Sequence, residues 1–174
     1  MKSSHNNRRL LLEAKHDHAE IERLLDLVFT PRRKILSSYQ LRSSTNKVDE
    51  LSYVIKDITD NIVGSIRFWN IKIDSHSSRG LLLGPLAIHP IYQSEGLGEK
   101  LVSNSIEQAC ADNWNWVILV GDIGYYSKFG FSKNLTYGIS LGDGLDNERL
   151  LGLDIKESFL NKASGSLTKA NNSL

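Results

Sequence analysis

One stretch constrains this chain more than any other: an apolar run of strand length that breaks into a glycine-bearing polar loop and then resumes with helical periodicity. It spans Leu81 to Gly98 and reads Leu-Leu-Leu-Gly-Pro-Leu-Ala-Ile-His-Pro-Ile-Tyr-Gln-Ser-Glu-Gly-Leu-Gly. The order strand, loop, helix follows, with the helix running on from Glu99. Gly96 and Gly98 remove side chains where loop becomes helix, so the unpaired amides of the first turn are free to face an anion. Two other phosphate loops are excluded. A Walker loop requires Gly-Lys-Ser or Gly-Lys-Thr, and a dinucleotide fingerprint puts its first glycine directly after the strand and adds a third. Here Pro90 to Glu95 intervene and the next candidate position is Leu101.

The flanking elements predict a mixed α/β domain. Leu10 to Ala14 reads as a first strand, and a helix follows from Asp17, an N-cap with Glu20 three residues on and Ile21, Leu24, Leu25 and Val28 on one face. Pro31 to Leu41 suggests a second helix with Arg32, Arg33 and Lys34 on a solvated first turn. Glu50 to Lys56 and Ile62 to Ile73 alternate about the turn residues Asp60-Asn61, as a hairpin does. Leu97, Leu101, Val102, Ser105, Ile106 and Ala109 share one stripe of the helix after the glycine loop, with Cys110 expected as an inert thiol buried at its edge. Trp116 to Val120 is uninterrupted and apolar, as for a strand covered on both faces, and its expected partner is Leu81 to His89. Asp122 can cap a short helix that Gly130 ends. Leu135 to Leu141 and Arg149 to Ile155 read as a closing hairpin joined by Gly142 to Glu148, and the Ser-, Asn- and Lys-rich tail after Phe159 has little to bury.

Composition narrows the partners. A chain of 174 residues supports one domain with a real core. No apolar run approaches the ~18 residues of a membrane helix, and Leu10 to Leu12 is too short for a signal-peptide core, so a cytoplasmic location is expected. The lone Cys110 leaves no framework for a disulfide or zinc, and no metal is expected. With 21 Lys and Arg against 20 Asp and Glu there is no global field to draw nucleic acid or an anionic membrane. A small-molecule or single-residue partner fits, with the chain a monomer or homodimer.

Two motifs carry a resemblance. Gln93, Gly96 and Gly98, in the spacing Gln-x-x-Gly-x-Gly, are followed after an intervening strand by Tyr126-Ser127-Lys128-Phe129-Gly130-Phe131. Together they resemble the GNAT superfamily of acetyl-CoA-dependent N-acetyltransferases over residues 8–157, leaving 158–174 as a polar C-terminal tail. The wording Gly84-Pro85-Leu86-Ala87-Ile88-His89-Pro90, then Gly121-Asp122, is most similar to the bacterial branch of predicted N-acetyltransferases. The resemblance implies a single-domain, mostly antiparallel sheet of about 6–7 strands with flanking helices, in which Leu81 to His89 and Trp116 to Val120 form a parallel, splayed pair.

It also implies site roles. Main-chain groups of Leu86, Ala87 and Ile88 would face the pantetheine arm, Gln93 would brace the loop, and the amides of Ser94, Glu95, Gly96, Leu97, Gly98, Glu99 and Lys100 would face the pyrophosphate. Tyr126 matches the family's general acid for the departing thiolate, while Tyr125 is expected in the core. Many members use a glutamate of the central strand as base, but Leu81 to His89 holds no carboxylate, and His89 is the titratable group there. Asp74, His76, Asp122 or a water relay are the other options. The acceptor site would be built from Thr30 to Leu41, Asp74 to Arg79 and Gly142 to Glu148. The implied activity is transfer of acetyl from acetyl-CoA to a primary amine of a small molecule or peptide by direct attack in a ternary complex. The alternative is a non-catalytic acyl-CoA-binding sensor of the same fold.

Overall fold

The computed structural model describes residues 8–74, 76, 78–142 and 146–170; the parts of the loop and terminal expectations that fall on 1–7, 75, 77, 143–145 and 171–174 lie outside the described residues. The chain runs β1 (Arg9–Leu12), α1 (His18–Phe29), α2 (Ser37–Ser43), β2 (Tyr53–Lys56), β3 (Ile62–Ile73), β4 (Gly80–Ile88), α3 (Leu97–Ala111), β5 (Trp116–Val120), α4 (Ile123–Tyr126), β6 (Ile139–Ser140), β7 (Leu150–Asp154) and β8 (Gly165–Lys169). The sheet order is β1-β2-β3-β4-β5-β7, and β8 pairs with both β3 and β6. The expected mixed α/β fold holds: β4 and β5 are parallel, and the other pairings along the main path are antiparallel.

Both faces of the sheet are covered, which explains the unbroken apolar sequence of β5. Val117 and Leu119 pack with Leu101 and Val102 of α3, whereas Trp116 and Ile118 join Ile71, Leu82 and Leu150 on the other side. Helix α1 buries Ile21, Leu24 and Leu25 against Val54, Ile62 and Ala87. At ~25 cal/mol per Å² of apolar area, each such side chain contributes about 1.5–3 kcal/mol before entropy is counted.

Several local expectations are corrected. Leu135 to Leu141 and Arg149 to Ile155 are not a hairpin: β7 pairs with β5, and β6 runs parallel to β8. Residues Asn134–Thr136 wind into a 3-10 turn instead, and the Thr136 hydroxyl donates to Leu150 O at 2.8 Å, so this segment packs on β7 through a side chain. The tail expected to bury little carries Leu160, Ala163 and Leu167 into the core and adds β8 to the sheet. Its apolar residues are sparse, but each lands on the face left open by β3.

Asp17 holds the N-cap position of α1, as expected, but its side chain makes no capping bond to the helix. A 3-10 turn at Lys15–Asp17 precedes the helix, leaving Asp17 already helical (φ −75°, ψ −16°); its carboxylate accepts from Ala14 N at 2.9 Å and pairs with Lys56 Nζ at 2.8 Å. Arg33 is not solvated either: it lies buried between Glu22 and Asp26. Cys110 is exposed, because at 100° per residue it sits one step outside the stripe that Ala109 closes.

Candidate active site

The site begins where β4 and β5 part. Their pairing covers only Gly80, Leu81 and Leu82 against Trp116, Val117 and Ile118, after which β5 continues with β7 alone. Three local features turn β4 away. Its register with β3 slips between Ile66 and Phe68, Gly84 takes a left-handed φ of +128°, and Pro85 has no N–H to give a neighbouring strand. The Gly84 carbonyl is held from behind by Trp69 Nε1 at 2.6 Å. Beyond Leu82, therefore, the edge of β4 facing β5 is left open toward the space between the strands.

One groove, of about 330 Å³, runs from this opening along the glycine loop. Leu86, Ile88, Gln93, Ser94, Gly96, Leu97, Gly98 and Glu99 line it, so one groove brings together eight of the residues expected to face the cofactor. Ala87 points its side chain the other way, into α1. Glu95 and Lys100 lie outside the lining, Glu95 paired with Arg8 and the Lys100 amide closing the first helical hydrogen bond onto Gly96 O at 3.0 Å. The amides of Leu97, Gly98 and Glu99 consequently precede the first intrahelical bond, and Gly96 supplies no capping side chain. Gln93 donates from Nε2 to Ile88 O at 3.3 Å, tying the loop to the strand end. These open amides at the positive end of a 15-residue helix fit the diphosphate of CoA.

The two glycines serve different needs. Gly96 adopts φ +77° with nothing within 4 Å of where a Cβ would stand, so its requirement is conformational. Gly98 has an ordinary φ, but a Cβ there would fall 2.6 Å from Tyr125 Oη. Tyr125 is thus a wall of the groove rather than the core residue expected, set against Gly98 and, edge-on, against the Tyr126 ring at 4.9 Å. Glu99 is neutralised by Lys128, whose Nζ also lies 4.4 Å from the Tyr125 ring centroid.

A second cavity, of about 390 Å³, meets the first at Phe29, Leu86 and Tyr125. Tyr126 stands in it, held by Phe129 and Phe131, with its ring 2.5 Å from where a Gly121 Cβ would be. Burial pushes the Tyr126 phenol well up, helped by Tyr125 and opposed by the charges of Arg42 and Arg149. Asp122 lines the same cavity while its carboxylate accepts from Tyr125 N at 3.0 Å. His89 does not: its Nδ1 accepts from Ile91 N at 3.4 Å, and it borders a separate cavity with Glu20 and Asp57. Tyr126 and His89, the two residues read as acid and base, are therefore not brought together.

Of the three segments expected to form the acceptor site, two reach this cavity: Arg33, Leu36 and Ser38 from the first, and Asp146 from the third. The described residues of Asp74 to Arg79 lie elsewhere. Asp74 accepts from Ser166 N at 2.8 Å, His76 sets its ring edge-on to Phe159 at 5.5 Å, and Ser78 receives the Trp116 indole N–H at 2.9 Å. Sequence reasoning also missed Arg42 and Arg149, both lining the cavity. Neither stands in a motif; the only textual hint is a Gly-Pro pair interrupting an otherwise unbroken strand.

Known proteins can be set beside this geometry. Residues 49–133 match the family model described as acetyltransferase (GNAT) domain. The matched stretch holds the glycine loop and the Tyr126 turn. An uncharacterized N-acetyltransferase, YhbS of Escherichia coli strain K12, is 26% identical over 81 residues, a match spanning 47% of this chain and 48%, about half, of the relative. The crystal structure of the Escherichia coli YhbS protein in complex with CoA superposes with a TM-score of 0.76 at 19% identity, covering 95% of this chain and 90% of that one. A GNAT family acetyltransferase from Brucella melitensis in complex with acetyl-CoA gives 0.68 at 22% identity, covering 92% and 94%. These likenesses show the GNAT fold. No helix among the described residues is long and apolar enough to cross a membrane.

Proposed function

We propose that the chain transfers an acetyl group from acetyl-CoA to a primary amine by direct attack in a ternary complex. The observation that carries this reading is the meeting of the glycine-loop groove and the Tyr126 cavity at Leu86 and Tyr125, where β4 has left β5. A cofactor anchored by the helix amides and laid along the open edge of β4 presents its thioester at that junction, and an acceptor enters from the other cavity. Bound acetyl-CoA supplies the activated acyl carbon.

The chain's own groups provide the rest. Open β4 main-chain N–H groups can polarise the thioester carbonyl. The amine nitrogen forms its bond to the acyl carbon as the carbon–sulfur bond breaks, and the Tyr126 hydroxyl donates toward the sulfur as charge collects there. Because burial disfavours its phenolate, Tyr126 keeps its proton through the neutral range and acts chiefly by hydrogen bonding until the thiolate develops. Among the groups read as bases, Asp122 shares the cavity with Tyr126 and is assigned the proton of the attacking amine.

The test is direct. Purified protein with acetyl-CoA should release CoA thiol with at least one member of a panel of small amines, amino acids and peptides, and calorimetry should register acetyl-CoA binding. Binding without release for any amine favours the sensor reading; absence of binding removes both.

A further inference from the structure

Of the two arginines in the second cavity that no described carboxylate pairs, Arg149 is exposed and Arg42 is set back in the wall. Nearby Arg33 is bonded to Glu22 and Asp26, and Arg67 to Glu13 and Glu22, so those three carboxylates are engaged, while Asp122 accepts from Tyr125 N and pairs with no cation among the described residues. Asp146 is turned to Ser38 N, from which it accepts at 2.9 Å. Arg42 makes no ion pair with any described residue, and its Nε, sealed from solvent, has no hydrogen-bond partner.

Its position is specific. Arg42 Nη2 lies 2.7 Å from where a Gly84 Cβ would stand, so the missing side chain at the bend of β4 makes room for the guanidinium beside the opened strand. The Gly84 carbonyl accepts from Trp69, and Arg42 makes no hydrogen bond to it. Nor is Arg42 part of the glycine-loop groove. A guanidinium with a sealed, unbonded Nε and no ion-pair partner is costly to keep, and an anionic ligand would offset that cost. Burial pushes its pKa down to about 10, against the favourable influence of Asp146, Tyr126 and Tyr39, so it is still charged at neutral pH.

We propose that the acceptor is an amine that also bears a carboxylate, and that Arg42 binds this carboxylate. The fork of the guanidinium suits a planar carboxylate, while Phe29, Leu36, Leu83 and Leu86 offer an apolar wall for the acceptor's body. The proposal rests on the transfer reading above for its role in catalysis, but the anion site itself can be tested without turnover.

Matched pairs differing only in the carboxylate decide it: phenylalanine with phenethylamine, leucine with isoamylamine, 4-aminobutyrate with propylamine, read by CoA release. In parallel, calorimetry with the CoA-loaded protein compares N-acetylphenylalanine with N-acetylphenethylamine. The expected result is at least about tenfold higher kcat/KM for the carboxylate member of a pair. Arg42→Gln should erase that preference with acetyl-CoA affinity kept within about twofold, and Arg42→Lys should recover part of it. Equal rates within every pair, or an Arg42→Gln variant that slows both members alike, would overturn the proposal. Should no amine be acetylated, Arg42-dependent binding of N-acetylphenylalanine would uphold the anion site while sinking the transfer reading, and failure of that binding would sink the site. The wild-type comparisons stand even if Arg42→Gln does not fold.

Discussion

Alanine at Gly98 should separate ligand binding from stability in a way that alanine at Gly96 should not. The added methyl at position 98 would meet Tyr125 Oη at 2.6 Å, so the hydroxyl must retreat by about 0.8 Å to reach the 3.4 Å of ordinary contact. Tyr125 resists, because its ring is set edge-on to Tyr126 and lies 5.7 Å from Phe129, with Lys128 over its face. Forcing it off its rotamer costs about 0.5–1.5 kcal/mol, while replacing a helical glycine by alanine returns up to about 1 kcal/mol. Net stability should change by less than about 1 kcal/mol, a shift in Tm of no more than ~4 °C. Binding should suffer much more, since the methyl and the displaced ring both stand in the groove. An acetyl-CoA affinity at least tenfold weaker, about 1.4 kcal/mol, is expected by calorimetry. In a Tyr125→Phe background the hydroxyl is gone and the next atom, Tyr125 Cζ, is 3.7 Å away, so part of the loss should disappear. Gly96→Ala, in open space but at φ +77°, should instead lose about 1–2 kcal/mol of stability through its backbone. A Gly98→Ala protein that binds acetyl-CoA within twofold of wild type, or a Gly96→Ala protein with unchanged Tm, would refute this reasoning.

Tyr126→Phe should lower turnover about 100-fold with acetyl-CoA affinity unchanged, and because burial raises the Tyr126 phenol, the wild-type pH–rate profile should show no alkaline decline from it below pH ~10. Lys56→Met leaves Asp17 ionised and buried, so differential scanning at pH 7 should show a loss of about 3–5 kcal/mol. Burial works to raise Asp17, but the Lys56 and Ala14 hydrogen bonds and neighbouring cations outweigh it; its folded pKa lies below 3.8, and the stability it contributes above that value is lost as pH falls through the folded pKa. The gap between wild type and Lys56→Met should therefore narrow below pH ~4, and a constant gap would contradict the pairing. Ending the chain after Ser158 removes buried Leu160, Ala163 and Leu167 together with β8, and at about 2–5 kcal/mol for each large side chain the cooperative thermal transition should be lost or fall by more than ~10 °C.

What the amino-acid sequence determined on its own is local. The apolar run of Trp116 to Val120, the alternation through Ile62 to Ile73 and the stripe from Leu97 to Ala109 each found its element, because period and burial are written along the chain. Gly96 and Gly98 were legible for the same reason: a turn demanding φ of +77° and an open helix start are properties of neighbouring residues. Asp122 capping and Gly130 ending the Tyr126 turn were equally local. Tertiary structure decided everything that joins distant segments. Nothing near Leu150 says that it pairs with β5 instead of β6, and nothing in the sparse apolar residues of the tail says that they will close the face beyond β3. Likewise His89 and Tyr126 looked like partners on paper but face different cavities, while Arg42, an unremarkable residue of a polar helix, was carried to the bend at Gly84. Burial and unpaired charge arise only when the chain closes on itself, since whether a carboxylate is free to answer a guanidinium depends on every other cation that has already claimed it.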